Sequence, residues 1–257
     1  MRLAVISDIH GNLAALEAVL HDLETIGGAE LTWCLGDLAA FGPRPAECVR
    51  RVKELAEAGE GKTFKVIGGN TDRYLVNGTR MKTPSATDEE TFKKRAAAWT
   101  QRDQGLNWTV GQLAFSDYEF LKQIRGRELG QDVQGYGHVI GYHGTPGDDE
   151  GFLRPDTPAT EALDSLLDRE GRLGIGGHIH VQMDRDLGNW RAVNVGSVGF
   201  SFDNPGHAQW GLFTFTGDEV MVDLRNVPFD VEAVIADLHT VGYPSVDFVT
   251  NWLRGGA

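Results

Sequence analysis

Arg2–Leu23 reads RLAVISDIHGNLAALEAVLHDL. Residues 2–7 form a short apolar run that ends in a polar cluster, and Leu13, Leu16, Val19, Leu20 and Leu23 then recur at helical spacing. The stretch therefore predicts a strand, a polar loop and a helix. The same cycle repeats downstream. Leu31–Leu35 is apolar before Gly36, Cys48, Val49, Val52 and Leu55 mark a second helix, and Phe64–Ile67 forms a third strand before Gly68 and Gly69. Strands alternating with helices argue for a largely parallel, buried sheet.

Residues 78–127 change character, with mixed charge and two tryptophans, Trp99 and Trp108. We read them as a helical insertion within a single domain spanning 1–257. Thr87 is its expected cap, with Glu90 completing a capping box. The two tryptophans are read as buried packing rather than as a lid over a nucleobase. Further strands are expected at Val139–Tyr142, Leu173–Ile175, Arg191–Val195, Gly211–Phe215 and Val220–Leu224, with a helix near Ala159–Asp168. So many strands in the second half fit two sheets flanked by helices better than one wound sheet. The tail, Asp230–Leu238 and Val246–Leu253, is amphipathic and is read as packing.

The chain has 257 residues, 41% hydrophobic and 24% charged, enough for one sizeable core. Its formal net charge of −13, with no basic run, argues against a long nucleic acid as partner. No apolar run approaches the roughly 20 residues of a membrane span, and no signal peptide pattern opens the chain, so a cytoplasmic protein without a membrane partner is expected. Cys34 and Cys48 read as buried reduced thiols. An oligomer is left open, with the Trp99 region and the C-terminal tail as its expected surfaces.

Chemistry concentrates in five segments: S-D-I-H (Ser7–His10), L-G-D (Leu35–Asp37), G-N-T-D (Gly69–Asp72), Y-H-G (Tyr142–Gly144) and G-H-I-H (Gly177–His180). Each follows an expected strand at its C-terminal end, the edge where loops of an α/β sheet bring side chains together. Carboxylates and imidazoles in one set suit first-row metals, and Asp8 with His10, or His178 with His180, can chelate from one side of extended backbone. Any one His-x-His pair is weak evidence. Five segments in register with five strands are not.

The motif order resembles that of the calcineurin-like metallophosphoesterase superfamily: D-x-H, G-D, G-N-H-[DE], H and G-H-x-H. The likeness runs from Met1 to about Val198, with Asn194, Gly196 and Ser197 similar to an N-x-G-S segment. More narrowly, the chain resembles the bacterial phosphodiesterase-like branch. The resemblance implies a four-layer α/β/β/α sandwich of two mixed sheets. It also implies two metal ions, one on Asp8, His10 and His180, the other on Asn70, His143 and His178, with Asp37 bridging. Mn or Fe is expected first, with Ni or Zn as alternatives. The implied reaction is attack on a small phosphate ester, a nucleotide among the candidates, by a hydroxide shared between the metals.

One position departs from the pattern. The histidine of G-N-H-[DE], the usual acid for the leaving group, is here Thr71, far too weak an acid for that task. Activated aryl diesters should then be better substrates than alkyl monoesters. His207, in the loop Asn204–Ala208, is the candidate substitute acid, weighed against an ordinary structural histidine. Asp72 and Arg73 either orient substrate or form a solvated pair, and Asn12 is a helix cap or an anion site. His138, His21 and His239 are assigned to packing or solvent. The competing reading is a metal-bound scaffold or binding protein of the same fold with weak turnover, for which Thr71 is the sole argument.

Overall fold

The structure, a computed structural model, describes residues 1–126 and 128–256. Strand β1 (Arg2–Ile6) leads through the S-D-I-H loop to α1 (Leu13–Thr25), β2 (Leu31–Cys34), α2 (Pro45–Ala58), β3 (Phe64–Val66) and α3 (Asn70–Asn77). Helices α4 (Glu89–Gln112) and α5 (Phe115–Ile124) follow, then β4 (Leu129–Val133), β5 (Gly137–Gly141), α6 (Ala159–Asp164), β6 (Leu173–Gly176), β7 (Gln182–Asp186) and β8 (Arg191–Val195). The long hairpin β9 (His207–Thr216) and β10 (Glu219–Pro228) precedes α7 (Val231–Thr240) and α8 (Val246–Leu253).

Two five-stranded mixed sheets result, ordered β10-β9-β1-β2-β3 and β4-β5-β6-β8-β7. Within them β1, β2 and β3 run parallel, as do β5, β6 and β8, while β4, β7, β9 and β10 pair antiparallel. The two-residue period of a strand builds the layers. Leu3 and Val5 of β1 face Val139, Leu173, Ile175 and Val193 of the second sheet, whereas Ala4 and Ile6 face Leu16, Val49 and Leu238 of the helices. On the far side Ile140 and Ala192 meet Ala162 and Leu166. Helix, sheet, sheet, helix is the order, as expected from the motifs. Cys34 and Cys48 are free and buried.

Several local expectations change. Asp88, not Thr87, caps α4, its carboxylate accepting from Thr91 N at 2.8 Å. A carboxylate one residue on satisfies the first turn as well as a threonine would. Helix α3 and the edge strands β4 and β7 were not anticipated, and α6 stops at Asp164 rather than Asp168. Asn12 is the cap of α1: its Oδ1 accepts from Ala15 N and its Nδ2 donates to Gly199 O. None of the described helices is long and apolar enough to cross a membrane.

Candidate metal centre

Because the strands that precede the motifs are parallel within each sheet, their C-terminal ends share one edge of the sandwich. The loops after β1 and β2 continue side by side past the strands: Asp8 N donates to Gly36 O, His10 N to Asp37 O and Gly11 N to Leu38 O. From the other sheet, Gly177 N donates to His143 O, and His178 N to Asp8 Oδ2 at 2.8 Å. Gly69 and Gly177 allow these approaches. A Cβ at Gly69 would collide with Asp37 Oδ1 and His143 Cε1, and one at Gly177 with Ser7 Oγ and Asp8 Oδ2.

The backbone is strained where the ligands are expected. Among the described residues seven non-glycines lie in the left-handed region, and five are Asp8, His10, Asp37, His178 and His180, with φ of 57°, 51°, 56°, 70° and 57°. Such a conformation costs about 1–3 kcal/mol per residue and persists where the surroundings enforce it, most often at functional sites.

Asp8, His10, Asp37, Asn70, Thr71, His143, His178 and His180 are all buried. His10 Nδ1 lies 3.0 Å from Ala40 O, His180 Nδ1 2.7 Å from Phe200 O and His143 Nδ1 2.8 Å from Leu35 O. A carbonyl only accepts, so each Nδ1 carries a proton, and a ring with no second proton presents a lone pair at Nε2. His10 Nε2 and His180 Nε2 are 3.1 Å apart, and His143 Nε2 is 3.0 Å from Asn70 Oδ1. Asp8 Oδ1 and His178 Nε2 have no hydrogen-bond partner among the described residues.

The carboxylates lie between the imidazoles. Asp37 Oδ2 is 3.6 Å from His10 Nε2 and 3.5 Å from His143 Nε2. Asp8 Oδ1 is 3.4 Å from His180 Nε2, 3.8 Å from that of His10 and 3.9 Å from that of His143. Two ligand atoms on one ion, each about 2.1 Å from it, stand roughly 3.0–3.4 Å apart, so these spacings are close to those of shared ligands. Asp8, His10 and His180 form one group able to hold a metal, and Asp8, Asp37 and His143 a second. Buried carboxylates and imidazoles converging at these spacings are what a cation would satisfy, and the donor set suits first-row metal ions.

The charges point the same way. Burial raises the Asp8 carboxyl pKa, but the surrounding imidazoles, His180 and His143 foremost, bring it far below the usual range. Burial likewise opposes ionisation of Asp37, and His143 more than reverses this. With only the chain's own charges acting, burial disfavours a charged His143, yet Asp37 and Asp8 raise it to about 10. His10 and His178 are held down, mainly by burial, to about 4.

Supporting residues lie around this centre. Asp72 is not part of a solvated pair: it sits fully buried in the first turn of α3 and accepts from Asp37 N, Leu38 N and Gly69 N at 2.8, 2.9 and 3.0 Å. Arg73 is held by Asp149 and Glu150. Asn194 Nδ2 donates to Gly177 O, and Ser197 Oγ to Asp8 O, so the N-x-G-S segment braces the loops of both sheets. An acid three residues after Gly69, as in a capping box, was the available signal for Asp72.

His207 is not in a loop. Strand β9 extends back to include it opposite Pro228, its Nδ1 is 3.3 Å from Pro205 O, and it is not among the residues lining the cleft. Trp99 is also corrected: it is 38% exposed and lines the cleft, while Trp108 packs against Tyr243 at 5.0 Å. Helix α8 does more than pack, since Phe248 and Trp252 form part of the cleft wall while Val249 and Leu253 enter the core. His138 pairs with Asp132 at 2.6 Å, and His21 and His239 are exposed on helices.

The model of the calcineurin-like phosphoesterase superfamily domain matches residues 1–218. The fold is similar to that of a metallophosphoesterase from Sphaerobacter thermophilus, 24% identical with a TM-score of 0.73, over 100% of both chains. It is also similar to a hypothetical protein from Pyrococcus horikoshii, 23% identical with a TM-score of 0.79, over 100% of this chain and 98% of that one. Curated relatives match shorter stretches. An uncharacterized protein of Methanocaldococcus jannaschii is 49% identical over 53 residues, 21% of each chain. A symmetrical bis(5'-nucleosyl)-tetraphosphatase of Citrobacter koseri is 38% identical over 72 residues, 28% of this chain and 24% of its own length. The chain thus spans a quarter or less of the length of these two curated relatives.

Proposed function

Because the chain belongs to the calcineurin-like phosphoesterase superfamily, we propose that it hydrolyses small phosphodiesters at two metal ions. Asp8, His10 and His180 would hold one ion and Asn70, His143 and His178 the other, with Asp37 as a ligand available to both. The observation that carries this reading is the 3.1 Å approach of His10 Nε2 to His180 Nε2, in two buried rings whose Nδ1 protons are given to backbone carbonyls. Bound there, manganese or iron, with nickel or zinc as alternatives, would supply Lewis acidity to phosphoryl oxygens and lower the pKa of water for in-line attack.

The chain's own residues set the rest. The strained loops fix the ligand side chains before substrate arrives, and Asp72 fixes the Asp37 loop through three backbone N–H groups. Thr71 N donates to Asp37 Oδ1 at 2.8 Å, but the Thr71 hydroxyl cannot protonate a leaving group near neutral pH. Leaving groups that depart as stable anions are therefore favoured. A diester also carries a second organic group, and the cleft, of about 470 Å³, has aromatic walls to receive it.

The test is hydrolysis of bis(p-nitrophenyl) phosphate against p-nitrophenyl phosphate with Mn²⁺, beside Asp37→Ala and Asn70→Ala. We expect faster diester turnover and a loss of at least about 10²-fold in each variant. Turnover of neither ester by protein carrying stoichiometric metal would leave a metal-bound binding protein in place of the hydrolase.

A further inference from the structure

Helix α4 turns one face to the cleft. Arg95, Ala98, Trp99 and Arg102, at i, i+3, i+4 and i+7, all line it together with His10, Asp37, Asn70, His178 and His180. From the geometry of this face we infer that the protein selects nucleotides bearing a second phosphate beyond the scissile one. Trp99 stacks on the base and Arg95 and Arg102 hold the distal anion. The inference rests on the hydrolase reading only for where the scissile phosphate sits.

The two arginines set this face apart. The chain carries a surplus of acids, and arginines such as Arg44, Arg73, Arg80, Arg191 and Arg225 are each held by a carboxylate. Arg95 and Arg102 meet no carboxylate and stack on no ring among the described residues. Arg95 Nη1 and Arg102 Nε are moreover buried without an acceptor. A buried guanidinium N–H is costly to leave unpaired, and its best partner is a planar or tetrahedral oxyanion. Both arginine side chains line the cleft, so an anion bound there is the partner that these guanidinium groups lack among the described residues.

Trp99 stands between them, with about 10.5 Å of helix separating the two arginine Cα atoms. It is 38% exposed, and Phe152 and Phe202, 44% and 47% exposed, also line the cleft, each 4.8 Å from a candidate ligand ring, His178 and His180 respectively. Exposed rings in a cleft wall suit a flat ligand ring. A flat ring alone would not use the arginines, and an inorganic polyphosphate would not use the rings. One molecule that carries ring and second anion uses both, and a nucleotide is that class.

The test uses the Mn²⁺-loaded protein and two readouts. Calorimetry measures binding of thymidine 3',5'-bisphosphate. Release of p-nitrophenol compares thymidine 3'-phosphate 5'-(p-nitrophenyl phosphate) with bis(p-nitrophenyl) phosphate, which share a leaving group. Arg95→Gln/Arg102→Gln should weaken bisphosphate binding by about 10–100-fold and lower the preference for the nucleotide ester to match. Arg95→Lys/Arg102→Lys should recover part of the affinity, and Trp99→Ala should weaken the bisphosphate by about 5–100-fold. A parent protein that does not bind the bisphosphate overturns the inference, as does a glutamine variant that binds it as tightly as the parent. So does an equal loss of turnover on both esters. Arginine-dependent binding without turnover of either ester would sink the hydrolase reading and leave this one standing.

Discussion

Thr71 shows how one side chain shapes the chemistry of the cleft. Its backbone N–H orients Asp37, a task any residue but proline could perform, while its hydroxyl is buried at the cleft with no hydrogen-bond partner among the described residues. The position therefore supports the centre and contributes no acid. An imidazole placed there would supply one. Thr71→His should raise kcat/KM for esters with alkyl leaving groups by about 10–100-fold and change aryl esters much less, because only the alkoxide needs a proton as it departs. Rates at pH 7 for a matched alkyl and aryl pair decide the matter, and an equal change in both would mean that Thr71 acts only through structure. Next to it, Asp72 shows what a motif leaves unsaid. The letters G-N-T-D mark a loop with polar side chains, but only the three converging N–H groups show that this carboxylate serves the loop's shape.

At the scale of elements, helix α1 is fastened to the β9-β10 hairpin through Asp22, which accepts from Trp210 Nε1 and from Arg225 Nε and Nη2. The hydrogen bond from Arg225 leads in holding its carboxyl below the ordinary 3.8, against the opposing effect of burial. A depressed folded pKa stabilises the fold above the unfolded value, and this contribution fades as pH falls through the folded one. Asp22→Asn should therefore cost about 1–2 kcal/mol near pH 7, allowing for solvent screening. The gap between variant and parent should close as pH falls below 3.8, and urea melts at pH 7 and pH 3 measure both. A gap unchanged at pH 3 would show that shape rather than charge matters. The same hairpin shows why some elements were legible from sequence and others were not. Strands β1, β2 and β3 and helices α1 and α2 bury apolar residues in period, so their spacing announces them. Strands β4 and β7 lie at the edges of their sheet and read LGQDV and QMDRD, with little apolar signal to detect. Helix α8 is plainly apolar in sequence, yet only assembly shows that Val249 and Leu253 meet the core while Phe248 and Trp252 wall the cleft. Five metal-site segments could be read because each chemistry-bearing residue sits just past a strand. The cleft wall could not, because it is made of side chains from helices and loops far apart in the chain.

Across the whole molecule, the candidate centre joins the two sheets. Asp8, His10, Asp37 and Asn70 follow strands of the first sheet, and His143, His178 and His180 follow strands of the second. Between the sheets the core is apolar, and at this edge the converging groups are carboxylates and lone pairs with too few donors of their own. An ion coordinated from both sides would therefore act as a clip between sheets as well as a catalytic group. Binding to the folded state alone adds about 2.7 kcal/mol when free metal is 100 times its Kd. At about 2–4 °C per kcal/mol for a chain near this size, Mn²⁺ should raise Tm by roughly 5–10 °C over chelator-dialysed protein. Mg²⁺ at the same concentration should do less, because imidazole nitrogens suit it poorly. Asp37→Ala should shrink the Mn²⁺ shift, since it removes the carboxylate that lies midway between His10 and His143. A Tm that is the same in chelator and in Mn²⁺ would count against ligands from both sheets sharing an ion. A shift that survives Asp37→Ala in full would place the stabilising ion elsewhere.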